Sequence, residues 1–165
     1  MPDIDTLVTT LTTGAAAARA EAAEALCRAG EDARAAAVPL VRACGDDEPV
    51  REWAVAALEE LGAPPVTAIA DLMPLAGHHN ELVAYWATTL LGRSGQAAAA
   101  AVPTLAEVLT AARDPAVAER AAWALGRIGP AAAAARPALE RAASASNPRL
   151  ARLAQEALAA SGLTA

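Results

Sequence analysis

Two adjacent histidines, two cysteines and a few paired carboxylates are the side chains here with the chemistry to act on a substrate. His78-His79, followed by Asn80 and Glu81, combine zinc-ligand types, but neighbouring imidazoles in a connecting loop rarely aim both rings at one metal. A solvated loop with no metal is the expectation. Cys27 stands one position past Leu26 and Cys44 four past Leu40, where a small apolar residue would serve equally well, so both read as structural thiols. Asp46-Asp47 precedes a helix and suits its positive N-terminus, whereas Glu59-Glu60 lies near a helix end and reads as a solvated face. The glycines recur singly rather than clustering into a phosphate-binding loop. No catalytic residue, metal or cofactor is expected.

The elements that would position any site follow from composition. The 165 residues are 55% hydrophobic but only 2% aromatic, with no Phe. Alanine dominates and is the best helix former, while the β-branched and aromatic residues that favour strands are scarce. The chain is expected to be all helix. With 13 basic and 19 acidic residues the net charge is −6, so nucleic acid is disfavoured as a partner. All basic residues are Arg, a bias typical of GC-rich bacterial coding. Two cysteines make no disulfide framework. Met1 to Asp5 carries no basic cluster, and no run reaches the ~18 apolar residues of a membrane span. A soluble, cytoplasmic protein is the expectation.

A short phrase recurs, a Leu followed four residues later by a Gly: Leu26-Gly30, Leu58-Gly62, Leu91-Gly95, Leu125-Gly129 and Leu158-Gly162, at intervals of 32 to 34 residues. That period accommodates two helices. Apolar positions eight, four and zero residues before the Gly-linked position form a buried stripe in four copies: Val50, Ala54, Leu58; Val83, Ala87, Leu91; Val117, Ala121, Leu125; and Leu150, Ala154, Leu158. Each Gly should end that first helix. A second Leu follows at Leu40, Leu72, Leu105 and Leu139, preceded in three copies by Pro39, Pro103 and Pro137, residues suited to a first helical turn. Asp114-Pro115 and Asn147-Pro148 read as caps of the next helix. Ile4, Leu7, Val8 and Leu11 supply an incomplete leading copy.

The phrases Ala37-Val38-Pro39-Leu40, Ala101-Val102-Pro103-Thr104-Leu105, Leu125-Gly126-Arg127-Ile128-Gly129-Pro130 and Asp47-Glu48-Pro49-Val50-Arg51 resemble the HEAT repeat family, specifically the short bacterial HEAT-like repeats also found in phycobilin lyases. The resemblance runs from about Ala15 to Leu163. It implies an α-solenoid that binds proteins; some relatives bind nucleic acid or attach pigments. In HEAT proteins an Arg usually follows the opening Val, and only Arg51 keeps it, against Ala84, Ala118 and Ala151. The stacked polar ladder between repeats is therefore expected to be mostly absent.

On a helical wheel, positions six and two before the repeat Leu face away from the core. They hold Glu52, Glu119, Glu24 and Glu156, with Tyr85 and Trp123 as exceptions, and exposed aromatics are candidate contacts. Trp53 and Trp86 share the position five before the Leu and read as fillers between neighbouring first helices. The second repeat is the least regular: Pro74 should shorten or kink its second helix, and Gly77-His78-His79-Asn80 replaces the usual turn. Met73 through Trp86 is thus the segment best suited to a specific contact. Outward positions of the second helices include Arg42, Met73, Glu107 and Arg141. The broken Arg row of Arg28, Arg93 and Arg127 is the weaker alternative surface.

The sequence therefore predicts an all-α, right-handed α-solenoid (an alpha-alpha superhelix) of about five HEAT-like helical hairpins. It forms one domain over 1–165, with repeats at roughly 15–46, 47–79, 80–112 and 113–145 and partial repeats at 1–14 and 146–165. The expected function is a non-enzymatic scaffold or adaptor for a protein or peptide, with a monomer favoured. Candidate contacts are Tyr85, Trp123, Trp86, Trp53, Met73, His78, His79, Arg42, Glu107 and Arg141. The alternatives are an accessory of the phycobilin-lyase kind, with a pocket at the second and third repeats near the His pair or a Cys, and nucleic-acid binding through the Arg row.

Overall fold

The computed structural model describes residues 3–162. Met1, Pro2 and the last three residues, reached by the N-terminal reading and the edges of both partial repeats, lie outside the described residues. Among the described residues the regular structure is entirely helical: α1 (Ile4–Thr13), α2 (Ala16–Ala29), α3 (Ala37–Ala43), α4 (Glu48–Glu60), α5 (Ile69–Ala76), α6 (Glu81–Arg93), α7 (Val102–Ala111), α8 (Pro115–Ile128), α9 (Arg136–Ala143) and α10 (Pro148–Ala160). Gly30, Gly62, Gly95, Gly129 and Gly162 all have positive φ, between 54° and 78°. Only glycine takes that conformation without steric cost, which is why it recurs at the end of each first helix.

Between first and second helices the chain runs through 3-10 segments, Gly30–Ala36, Gly95–Ala101 and Gly129–Ala135, with a shorter one at Val66–Ala68. The alanine runs would favour α-helix by propensity alone. Burial decides otherwise: Ala33 and Ala36, Ala98 and Ala101, and Ala132 and Ala135 are buried in pairs three residues apart. That spacing matches the three-residue turn of a 3-10 helix, which sets i and i+3 on one edge. Only small residues fit there, so the same alanines that promote helix generally are used here for size.

The chain forms two compact units, one ending at Ala68 and the other beginning at Ile69. In the first, α2 packs along α4, α1 lies on α2 and α3, and α3 packs on α4. Leu26, Leu40, Leu58 and Leu61 are fully buried in it. In the second, α6, α8 and α10 pack side by side, while α7 lies between α5 and α9 on the other side of the hairpins. Leu72, Leu90, Leu91, Leu105, Leu125, Ile128 and Leu139 fill the space between these two layers. The stripes expected at −8, −4 and 0 are buried in α4, α6 and α8, while Leu150 and Leu158 of α10 are half-buried.

Polar links join consecutive first helices. Arg19 on α2 pairs with Asp46 at 2.6 Å, and Asn147 and Arg149 hold Glu119 on α8 at 2.9 and 3.1 Å. Arg19 stands seven residues before Leu26, as Arg51 stands seven before Leu58, so this rung of the ladder comes from the opening position itself, whereas the rung to Glu119 is supplied by other residues. The N-cap residue of α4 is Asp47 rather than Asp46, and it makes no side-chain cap bond. Asp114 and Asn147 do cap α8 and α10, accepting from backbone N–H groups two or three residues on. Pro74 lies inside α5, yet α5 has eight residues, as many as α9 and one more than α3. α5 is two residues shorter than α7 but no shorter than α3 and α9, so its length alone does not mark the irregular repeat.

Candidate functional site

The irregular turn is built around His78. Asn80 caps α6 by accepting from the backbone N–H groups of Leu82 and Val83. Its own N–H donates to His78 Nδ1 at 3.1 Å, which requires a ring unprotonated at that nitrogen. The ring of His79 stands 4.2 Å from that of His78, centroid to centroid. Burial, and secondly the charge of His79, hold His78 below the ordinary value of 6.5. Among the described residues no group of three or more His, Cys, Asp or Glu is placed to hold a metal ion.

This turn borders a cleft of about 790 Å³ in the second unit. Met73 and Pro74 of α5, Ala84 of α6, Val108 of α7 and Val117 of α8 supply its apolar lining, and Glu81, Glu107, Arg113 and Asp114 its charges. The sequence candidates Met73, His78, His79 and Glu107 therefore meet at one place, brought together by the ends of α5 and α7 and the starts of α6 and α8. Glu81 was singled out only as a neighbour of the histidines, and Arg113 was not among the candidates. Asp114 was visible only as a cap, and the cap position is what carries it to the rim.

Tyr85 and Trp123 meet at a second, smaller cleft of about 140 Å³, with Arg120, Glu119, Arg149 and Leu153. The Arg120 guanidinium lies 4.9 Å from the Tyr85 ring and 5.1 Å from the Trp123 ring, and it donates a hydrogen bond to the Tyr85 hydroxyl. Cation–π attraction thus holds both aromatics to their own chain. Arg120 was missed, although it occupies in α8 the position that Trp53 and Trp86 occupy in their helices. Comparing residues across that position would have found it.

Trp86 is 6% exposed and Trp53 39% exposed, so one shared repeat position yields one core residue and one surface residue. Trp86 meets Tyr85 edge-on with centroids 5.6 Å apart, and Arg93 lies over its ring at 5.6 Å. Arg42 and Arg141 are exposed near the ends of α3 and α9, and Arg141 lines neither cleft. In the alternative Arg row, Arg28 is paired with Glu24 and Arg93 is the residue over Trp86.

Neither thiol is poised for nucleophilic work. Cys44 is fully buried, its Sγ 3.5 Å from the Leu40 carbonyl, and burial pushes its pKa up to about 12. Cys27 is half-buried. Its pKa is raised first by burial and then by Glu60, with Arg28 opposing.

The sequence matches no protein-family model. No curated protein matches it either. Solved structures with similar folds include a designed armadillo repeat protein in complex with the peptide (KR)4, at TM-score 0.71 and 22% identity, covering 96% of this chain and 81% of that one. An engineered protein aligns at TM-score 0.66 and 23% identity over 96% of this chain and 47% of its own. The CpcE–CpcF complex of phycocyanin lyase from Nostoc sp. PCC7120 aligns at TM-score 0.66 and 22% identity, covering 99% of this chain and 66% of that chain. The protein has the fold of helical-repeat solenoids built from stacked hairpins. No helix among the described residues is long and apolar enough to cross a membrane.

Proposed function

We propose that the protein is a non-enzymatic scaffold that binds a peptide segment of a partner protein in the cleft between the α5–α6 and α7–α8 turns. The single observation behind this reading is the cleft itself, about 790 Å³ with an apolar lining and charged rim. Its walls come from four separate helices, and a binding surface composed from neighbouring repeats is how stacked-hairpin proteins hold extended partners. The peptide-bound designed armadillo neighbour supports the same class of ligand. Tyr85 and Trp123, engaged with Arg120, fit a supporting role better than a direct contact.

The test is selection from a peptide display library, followed by NMR of the bound complex. Selected peptides are expected to shift the Met73 methyl and the His78 and His79 imidazole resonances, and to be lost in Met73→Glu. Peptides that shift only residues around Trp123 or Trp53 would overturn the placement.

A second reading, action on a tetrapyrrole-bearing protein, is favoured by one observation. The cleft falls within the roughly 300–1,000 Å³ typical of small-molecule sites, and His78 and His79 line it. The CpcE–CpcF likeness is in keeping with it. Incubation with a linear tetrapyrrole should then give a visible absorbance band that His78→Ala/His79→Ala abolishes, and an unchanged spectrum would remove this reading.

A further inference from the structure

The next step rests on the proposed peptide cleft and concerns the chemistry of its occupant. Glu81, Glu107 and Asp114 line the cleft against a single Arg113, which leaves two negative charges in excess while the histidines are neutral. Asp114 is fixed there by its cap bond to the Ala116 N–H at 2.8 Å. Met73, Pro74, Val108 and Val117 make the aliphatic part of the lining, in which Val108 and Val117 are buried while Glu81 and Glu107 are exposed. An apolar trough with an acidic rim complements a side chain that is alkyl along its stem and cationic at its tip.

His78 lines the same cleft, so a proton added there would reduce the excess charge. The groups that share the cleft with His78 are His79 on its own turn, Glu81 on α6, Glu107 on α7, and Arg113 and Asp114 on the turn before α8. The residues lining it from α5, namely Ala70, Met73, Pro74 and Ala76, carry no charge. Protonation at His78 Nδ1 would also remove the acceptor of the Asn80 N–H, loosening the turn that caps α6. Histidine changes charge just below neutral pH. The charge balance and the turn therefore respond to the same proton.

We propose that this cleft receives the Lys or Arg side chains of a basic, extended peptide segment, and that protonation of His78 in the turn at its edge weakens its grip as the pH falls.

The test uses the full chain and a fluorescein-labelled (Lys-Arg)4 octapeptide, with (Glu-Ala)4 and (Ser-Ala)4 as comparisons, read by anisotropy at fixed ionic strength. The basic peptide should bind and the acidic one should not. Glu81→Gln/Glu107→Gln should weaken binding by about fivefold or more, whereas Glu21→Gln/Glu52→Gln, exposed carboxylates outside the cleft, should change it by less than about twofold. Lowering the pH from about 7.5 to about 5.5 should weaken the wild type by about threefold or more, and His78→Gln, or His78→Asn if that variant misfolds, should blunt that loss. Equal losses in the two carboxylate pairs, or an unchanged pH slope in the His variants, would overturn the proposal. If (Ser-Ala)4 binds as well as the basic peptide and shifts the imidazole resonances, the charge inference fails while the peptide cleft stands. If no octapeptide and no display-selected peptide moves the Met73 or imidazole resonances, both fail.

Discussion

The indole of Trp123 on α8 lies against the bare backbone of Gly92 on α6. A methyl group built on Gly92 would stand 2.4 Å from Cζ3 and 2.8 Å from Cε3 of that ring, and 3.0 Å from the Ala124 Cα. The aromatic is therefore seated in a notch that only glycine leaves open, with Arg120 over its ring.

Gly92→Ala should destabilise the protein by about 1–3 kcal/mol through overpacking, despite the roughly 1 kcal/mol that Ala gains over Gly in a helix interior. Urea unfolding measures it. Added to Trp123→Leu, the same substitution should cost much less, because the smaller side chain vacates the notch. Additive losses would contradict the contact.

Asn147 caps α10 through the Arg149 and Leu150 N–H groups and donates through Nδ2 to Glu119 at 2.9 Å. Asn147→Ala should cost about 1–2 kcal/mol, typical of a lost cap. Asn147→Asp keeps the cap but sets a carboxylate against Glu119, so its stability should improve when Glu119→Gln is added. An Asp variant as stable as wild type would show that the Glu119 link contributes nothing.

Thiol labelling at neutral pH should find Cys44 unreactive in the folded protein, since burial holds its pKa at about 12, and Cys27 slow, since its pKa is raised too. Unfolding in urea should expose both at the ordinary rate. A Cys44 that labels as fast folded as unfolded would contradict the burial.

His78 is a base held below its ordinary 6.5 in the folded state, so the unfolded chain binds the proton more readily. The stability contributed by its neutral form is therefore complete above about pH 6.5 and declines as the pH falls through the lowered value. Thermal unfolding across this range should show a decline that His78→Gln flattens. An identical pH profile in that variant would assign the decline to other groups.

The fold was legible because its signal was periodic: the Leu–Gly phrase marks helix ends that all five repeat glycines confirm with positive φ. The 3-10 segments were not legible, since alanine gives the same local signal for either helix and only the buried pairs such as Ala98 and Ala101 distinguish them. Met73, His78, His79 and Glu107 were readable one by one from breaks in the pattern, and they meet at one cleft. The Arg120 contacts were hidden because they reach from α8 to Tyr85 on α6, and contacts between helices are absent from any single-helix wheel.

The pairings in the second unit join helices only one or two steps apart along the chain, α6 with α8, α7 with α9 and α8 with α10. Forming any of them closes a loop of a few tens of residues at most, so the entropic barrier to each is modest. Folding of this unit can begin at whichever hairpin closes first and spread to its neighbours. A weakening substitution in one hairpin would then change the order of assembly more than its overall speed.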